Sequence, residues 1–402
     1  MLSSRWISPS LISVALIFFW STYAIPAGAF QPSPSNSLNP SRKSSNTYKL
    51  DYNAIQDLID VSHPYYKLEN ERAIMTPATE KKNGVELFCT VKTEMPVGRE
   101  VGLVSLAEAG RHMAIAGSVA AALNQPNKGK HYYLALDNRM IRVPYDTDID
   151  DRMPKGTKSG ETVILAWCTN LGKREAACEI IMKVPGEDEA WFLSLTYSVI
   201  SEKVFDRFVP TGVVLKPHVN SPQAPAGIEY DSPYARFQGL PGPFEILKQS
   251  HELIILKSSL PKVPAHQCLG HFDGGKSALP VALLAGYCCD LVGKSIGTLS
   301  GVDIPFKNSL KDDQGSCMKV LQLEMKASKL VYAETQGLEL FCKVVAQKDA
   351  AGEVIFYSVK VSVQSDLDKE LIAMMEGDFL VTCTLNNART AGDLGRYTAP
   401  LP

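Results

Sequence analysis

The stretch Gly270–Pro280, GHFDGGKSALP, runs directly into the apolar VALLAGYCCDLVG of residues 281–293. A histidine beside a glycine pair, at the mouth of an apolar helical pattern, admits two readings. Gly274 and Gly275 form a plain turn in one. In the other they aim backbone N–H groups and the positive end of a helix at a ligand, with His271 next to it.

Outward from this stretch, the chain falls into two similar blocks. In the second, a strand pattern at 251–260 leads through the histidine loop to a helix expected over roughly 278–293. Strand patterns follow at 297–306, at 320–346 and at 353–363. In the first, a strand pattern at 85–93 leads through PVGREVG to a helix expected over 105–123. Strand patterns follow at 131–143, at 162–184 with a break at Leu171-Gly172, and at 190–201. Alternation such as Val359, Val361, Val363 against Lys360, Ser362, Gln364 predicts strands with one buried face. Both helices are apolar nearly all round, which predicts that each is enclosed. NGVELFCTV (83–91) and QGLELFCKV (336–344) nearly coincide but stand on opposite sides of their blocks' helices, so they share composition and not repeat register.

Five prolines between 202 and 238 predict an extended linker. The expected organisation is therefore a leader (1–29 and 30–50), a first domain (51–201), the linker (202–238), a second domain (239–365) and an extension (366–402). The extension holds one short helical pattern and the strand-like DFLVTCTL.

At 402 residues with 45% hydrophobic content, the chain is long enough for two or three domains. A net charge of -2 gives no reason to expect a nucleic acid. The nine cysteines are odd in number, contain no C-x-x-C, and mostly lie in β-patterned apolar stretches, which argues against a disulfide framework or a metal site. No cofactor is implied.

The leader has its own chemistry. Residues 1–50 contain no Asp or Glu. Arg5, an apolar run from Leu11 to Trp20 and the small-residue site Ala27-Gly28-Ala29 predict a signal peptide, with a retained signal anchor as the alternative. The run is short of the about 20 apolar residues of a membrane span. The Ser-rich, acid-free 30–47 has transit-peptide composition. AGAFQPSPS, with Phe30 first after the cut, resembles the bipartite presequences of diatoms and related algae, and this resemblance implies a plastid location.

GHFDGG…LP, together with a doubled block of one helix and several antiparallel strands, resembles the hotdog (3R)-hydroxyacyl-carrier-protein dehydratases. Their active-site loop reads His-Phe-Pro-Gly, then Pro-Gly, then the helix. His271, Phe272 and Gly274 match that loop, Asp273 replaces the first proline, and Pro280 falls one place late. The resemblance implies an α+β double hotdog: two antiparallel sheets, each wrapped around a central helix, fused in one chain that is pseudo-dimeric as a monomer. It implies a 3-hydroxyacyl-thioester dehydratase-like lyase, acting on an acyl thioester carried by acyl carrier protein or CoA. Phe272, Gly274 and Gly275 would then be substrate-binding.

In the family, the histidine of one hotdog works with an acid on the partner's helix. Here the acid position of the second block falls on Ala285, whereas the first helix begins Leu106-Ala107-Glu108-Ala109 and its loop has no histidine. The implied catalytic pair is therefore His271 with Glu108, one from each block. Such a pair suits taking a C2 proton and protonating the departing 3-hydroxyl. Ser105-x-x-Glu108 is equally a capping box, and His271 equally a loop histidine. Arg111-His112 is expected as a polar pair at the helix start or the block interface. Two other functions stay open: a thioesterase using Glu108 or Asp273 to position water, and a degenerate hotdog that binds an acyl or isoprenoid-like ligand or scaffolds a plastid complex.

Overall fold

Ser105 starts the first long helix by accepting the Glu108 N–H through its hydroxyl at 3.2 Å. A computed structural model describes residues 47–63, 65–75, 84–91, 98–102, 104–126, 129–144, 161–208, 239–268, 270–272, 278–306 and 315–384. The strands are β1 (Thr47–Lys49), β2 (Leu68–Met75), β3 (Val85–Val91), β4 (His131–Pro144), β5 (Thr162–Leu171), β6 (Glu175–Lys183), β7 (Glu189–Ser201), β8 (Glu245–Gln249), β9 (Leu253–Ser259), β10 (Gly315–Ala327), β11 (Leu338–Lys348), β12 (Val354–Ser365) and β13 (Leu371–Thr384). The helices are α1 (Tyr52–Ile59), α2 (Leu106–Asn124), α3 (Glu202–Phe208) and α4 (Val281–Ser300).

All the strands join one sheet in the order β1-β2-β3-β5-β6-β7-β4-β10-β13-β12-β11-β9-β8, and every named pair is antiparallel. The order repeats about the β4–β10 seam. In each half the first strand after the helix (β4, β10) lies at the seam, and the strand before the helix (β3, β9) lies far from it. The seam is registered by Leu323↔Met140 and Glu324↔Arg139. Helix α2 packs against β3, β5, β6 and β7, helix α4 against β9, β11 and β12, and the two helices touch. This is the double hotdog expected from the sequence, within one compact unit, Ser44–Asn387.

Buried residues lie on every face of α2 and on most of α4, as enclosure requires. In β12, Val359, Val361 and Val363 are buried while Lys360 is exposed. The similar VELFC and LELFC segments sit in β3 and β11, which are not equivalent by the repeat. Both turn their Leu and Cys (Leu87 and Cys89, Leu340 and Cys342) into the core.

Three expectations are corrected. Helix α4 runs to Ser300, past the expected 293, and 297–306 contains no strand. Gly293 and Gly297 give room within the helix instead of ending it; Gly301, left-handed at φ 71°, is the stop. The 320–346 pattern is two strands separated by a turn. Finally, the helical pattern expected after 365 is strand: β13 inserts between β10 and β12 and buries Ala373, Met375 and Phe379 at period two. Its helix-favouring Leu-Ile-Ala-Met-Met run is overridden by partners on both edges. The extension thus supplies part of the second sheet, and α3 opens the segment expected as linker.

Candidate functional site

Glu108, Arg111 and His112 share one face of α2 at spacings of three and four residues, and all are at most 1% exposed. Glu108 Oε1 lies 3.4 Å from His112 Nε2. Burial, then the Arg111 charge, then Lys67 hold the His112 pKa well below its usual value, so the ring is neutral. A neutral ring beside a carboxylate is assigned the Nε2–H tautomer, donating to Glu108. Its Nδ1 is buried and has no hydrogen-bond partner among the described residues. Ser105 therefore caps the helix as expected, while the Glu108 carboxylate faces His112.

The second half reaches this face through the histidine loop. Gly270, His271 and Phe272 run antiparallel to Asp60–Ser62 of the first half: Ser62 N donates to Gly270 O at 2.8 Å, and Phe272 N to Asp60 O at 3.2 Å. Gly270 is needed twice over. Its φ is 85°, and a Cβ would stand 2.2 Å from Ser62 O. Phe272 is also left-handed, at φ 59°, an unfavourable conformation for a bulky residue. It is held there by packing its ring against Tyr132 and Phe205, themselves stacked at 3.7 Å. Phe272 is only 5% exposed, so the residue expected to bind substrate is placed as a wedge in the half–half contact.

His271 Nδ1 lies 3.0 Å from Ala278 O and is assigned as the donor, which leaves the lone pair on Nε2. The ring sits 4.8 Å from that of Tyr65. Tyr65 in turn carries the Arg111 guanidinium 5.3 Å from its ring centre. A continuous path, His271–Tyr65–Arg111, thus leads from the second half's loop to the α2 turn that bears Glu108. Arg111-His112, expected at the helix start or the block interface, lies in the first two turns of α2, with Arg111 over the Tyr65 ring that touches His271. Gly274, Gly275 and Asp273 lie outside the described residues.

Sequence reasoning missed Tyr65 and the role of His112. The HPYY run at 63–66 was a visible signal, being an aromatic cluster next to a short helix. Missed as well was a second crossing between the halves. Arg99, from the loop before α2, pairs through Nε with Asp290 on α4 at 2.6 Å, and both are buried. Leu240 N donates to the other Asp290 oxygen at 2.7 Å, and Arg99 Nη1 donates to Ile304 O. The strand-like contact of the same loop with Met318 fixes its position. Gly293 makes room for the guanidinium stem, since a Cβ there would lie 2.3 Å from Arg99 Cδ. Asp290, a lone acid in an apolar helix, was the legible clue. Ala285, where the family's acid position falls, is a buried apolar residue of α4.

Two surface clefts lie elsewhere, one of 620 Å³ lined by Lys49, Tyr52, His63 and Glu71 and one of 350 Å³ at the C-terminal end of α4. Among the described residues no group of three or more His, Cys, Asp or Glu side chains could hold a metal ion. No described helix is long and apolar enough to cross a membrane.

No family model matches the chain, and no curated protein does. Solved structures do resemble it. A hot dog fold protein of unknown function from Alicyclobacillus acidocaldarius is 12% identical, over 83% of this chain and 99% of its own, with a TM-score of 0.38. An acyl-CoA thioesterase II from Mycobacterium marinum is 12% identical, over 73% and 97%, with a TM-score of 0.34. A dehydratase from the borrelidin and fluvirucin polyketide synthases is 13% identical, over 82% and 97%, with a TM-score of 0.33.

Proposed function

We propose that the chain is a hydratase/dehydratase acting on a 3-hydroxyacyl or enoyl thioester, at a composite site built from both halves. The observation that carries this reading is the pairing of Gly270–Phe272 with Asp60–Ser62, which sets the His271 ring against Tyr65, itself under the Arg111 guanidinium of α2. In the dehydration direction, His271 Nε2 takes the C2 proton. Glu108, in its protonated form, gives its proton to the 3-hydroxyl, which leaves as water, and the C2 electron pair forms the double bond. Hydration runs the same steps in reverse. His112 holds the Glu108 carboxyl in place through its Nε2. Gly274 and Gly275, before α4, are proposed to face the thioester oxygen as enolate charge develops.

The acyl group would be carried on acyl carrier protein or CoA. The fused halves supply the pairing that a dimer would otherwise provide, so a monomer suffices. The leader is proposed to direct the chain into a plastid, with cleavage after Ala29 and Phe30 needed for entry. A fluorescent fusion of residues 1–50 tests this in a diatom: plastid import unchanged by Phe30→Ala removes its main support.

One observation favours a second reading, a hotdog that binds an acyl or isoprenoid-like ligand without turnover. Glu108, Arg111 and His112 are at most 1% exposed, and neither cleft reaches them. Incubating the purified chain with 3-hydroxyacyl- and enoyl-pantetheine thioesters separates the readings. Interconversion supports the dehydratase, release of free thiol a thioesterase, and binding without turnover the ligand carrier.

A further inference from the structure

Cys168 on β5 and Cys178 on β6 are direct cross-strand partners in the antiparallel ladder. Both side chains are buried on the same side of the sheet, as directly opposed residues must be. Directly opposed residues place their Cα atoms about 4.5 or 5.5 Å apart, inside the window of about 4.4–6.8 Å that a disulfide spans. No other two described cysteines stand opposite each other in the ladder, and Cys268 lies outside the strands. Cys89 faces Ile164, Cys342 faces Val361 and Leu256, Cys317 faces Thr382, and Cys288 and Cys289 are neighbours in α4. All of them are free thiols.

We propose that Cys168 and Cys178 are a disulfide-forming pair, a modification site for oxidants of the disulfide class, independent of the acyl-thioester reading. The reaction is thiol–disulfide exchange. One cysteine, as thiolate, attacks a sulfur of the oxidant and expels the other half as a thiol. The second cysteine then attacks the mixed disulfide and expels the remaining half. The two cysteines lose two protons and two electrons, and the oxidant's S–S bond becomes two thiols.

Burial sets the timing. Both side chains are at most 1% exposed, and Cys178 Sγ lies 3.4 Å from Gly117 O on α2. The neighbouring Cys168 thiol and then desolvation push the Cys178 thiol up, so attack awaits local opening. The pair is close to the place where opening begins. Only Asn170↔Ala177 and Leu171↔Ala176 separate it from the exposed Gly172–Arg174 turn, and the ladder slips between Cys168 and Asn170. Fraying of this hairpin end would bring Cys168 into water beside Lys173 and Arg174, whose charges favour the thiolate. Closure then seals the bond beneath α2.

The test treats the full chain with excess oxidised glutathione, blocks remaining thiols with an alkylating agent, and maps tryptic peptides without reduction. Cleavage after Lys173 and Arg174 leaves the two cysteines on separate peptides, so a link between them is unambiguous. The expected result is one predominant cross-link, Cys168–Cys178, reversed by dithiothreitol, with a melting temperature a few degrees above that of the reduced chain. Cys178→Ser should abolish the cross-link, and Cys178→Ala serves if the serine variant fails to fold. Full alkylation of both cysteines after oxidation of the still-folded wild-type chain, or cross-links joining other cysteines instead, overturns the proposal.

Discussion

The two crossings between the halves solve the same packing problem with different chemistry. At one, the loop before α2 delivers Arg99 to Asp290 on α4, and backbone groups of Leu240 and Ile304 complete the pair. At the other, the loop before α4 sets the His271 ring against Tyr65, which lies under the Arg111 guanidinium of α2. The first crossing is a buried guanidinium–carboxylate pair whose hydrogen bonds are met on both sides, next to the buried Glu100 that accepts from Arg99 N. The second sets His271 at one end of a ring–guanidinium chain whose other end, Arg111, shares a helix face with Glu108 and His112. The difference teaches where to test the proposed chemistry: a satisfied ion pair holds the halves together at one crossing, and the proposed turnover is assigned to the crossing that carries His271.

The largest expected effect tests that division. Glu108→Gln and His271→Ala should each lower dehydration of a 3-hydroxyacyl thioester by about 10²–10⁴-fold, with the circular dichroism spectrum retained. The double variant should be no worse than the worse single, as for groups acting as a unit. Full activity in Glu108→Gln would dissolve the contrast, because glutamine still suits the helix start.

Next comes Arg99→Ala, which strands Asp290 in the core and should cost about 3–5 kcal/mol in chemical denaturation. Arg99→Met with Asp290→Leu should recover most of that loss and leave turnover near wild type. A loss of turnover in that folded double variant would show that the first crossing also serves chemistry.

Gly270→Ala should cost about 1–3 kcal/mol through its left-handed backbone, and more if Ser62 O cannot yield. Because it misplaces His271, its turnover should fall further than the stability loss alone explains, which a comparison of kcat at a temperature well below melting will show.

The smallest effect is a pH slope. The folded-state pKa of His112 is depressed below its unfolded value near 6.5, so below that pH the unfolded chain binds more protons. Stability from this group is complete above about 6.5 and falls as pH drops toward the folded pKa, by up to about 1.4 kcal/mol per pH unit. His63, also lowered by burial and Lys67, adds a slope of the same sign. Denaturation midpoints between pH 7 and 5 should flatten in His112→Gln; an unchanged slope would mean that His112 is charged in the fold.

Local patterns carried much of this fold. The two apolar helices, the β5–β6 break at Leu171-Gly172 and the alternation in β12 could be read because each depends on neighbours within a few residues. Where reading failed, distant partners were the cause. The Leu371–Met375 run favours a helix by propensity, yet it is strand because β10 and β12 offer it two edges. Gly293 resembles a helix stop, yet it makes room for Arg99, nearly two hundred residues away in sequence. At the candidate site, His271 and Glu108 stood out by type and position. Tyr65 did not, because its importance is a contact between three separate segments.

By itself the sequence determined the doubled strand–loop–helix–strands plan, the enclosure of both helices and the split of imidazole and acid between the halves. These follow from periodicity and residue type, which act along the chain. Only the tertiary structure decided that β4 and β10 form the seam, that His112 and not solvent faces Glu108, and that Arg99 closes the opposite crossing on Asp290. Those outcomes depend on which buried polar groups meet across the interface. Burial makes an unmatched charge costly, so the pairing is selected by the whole packed arrangement and by no local stretch of it.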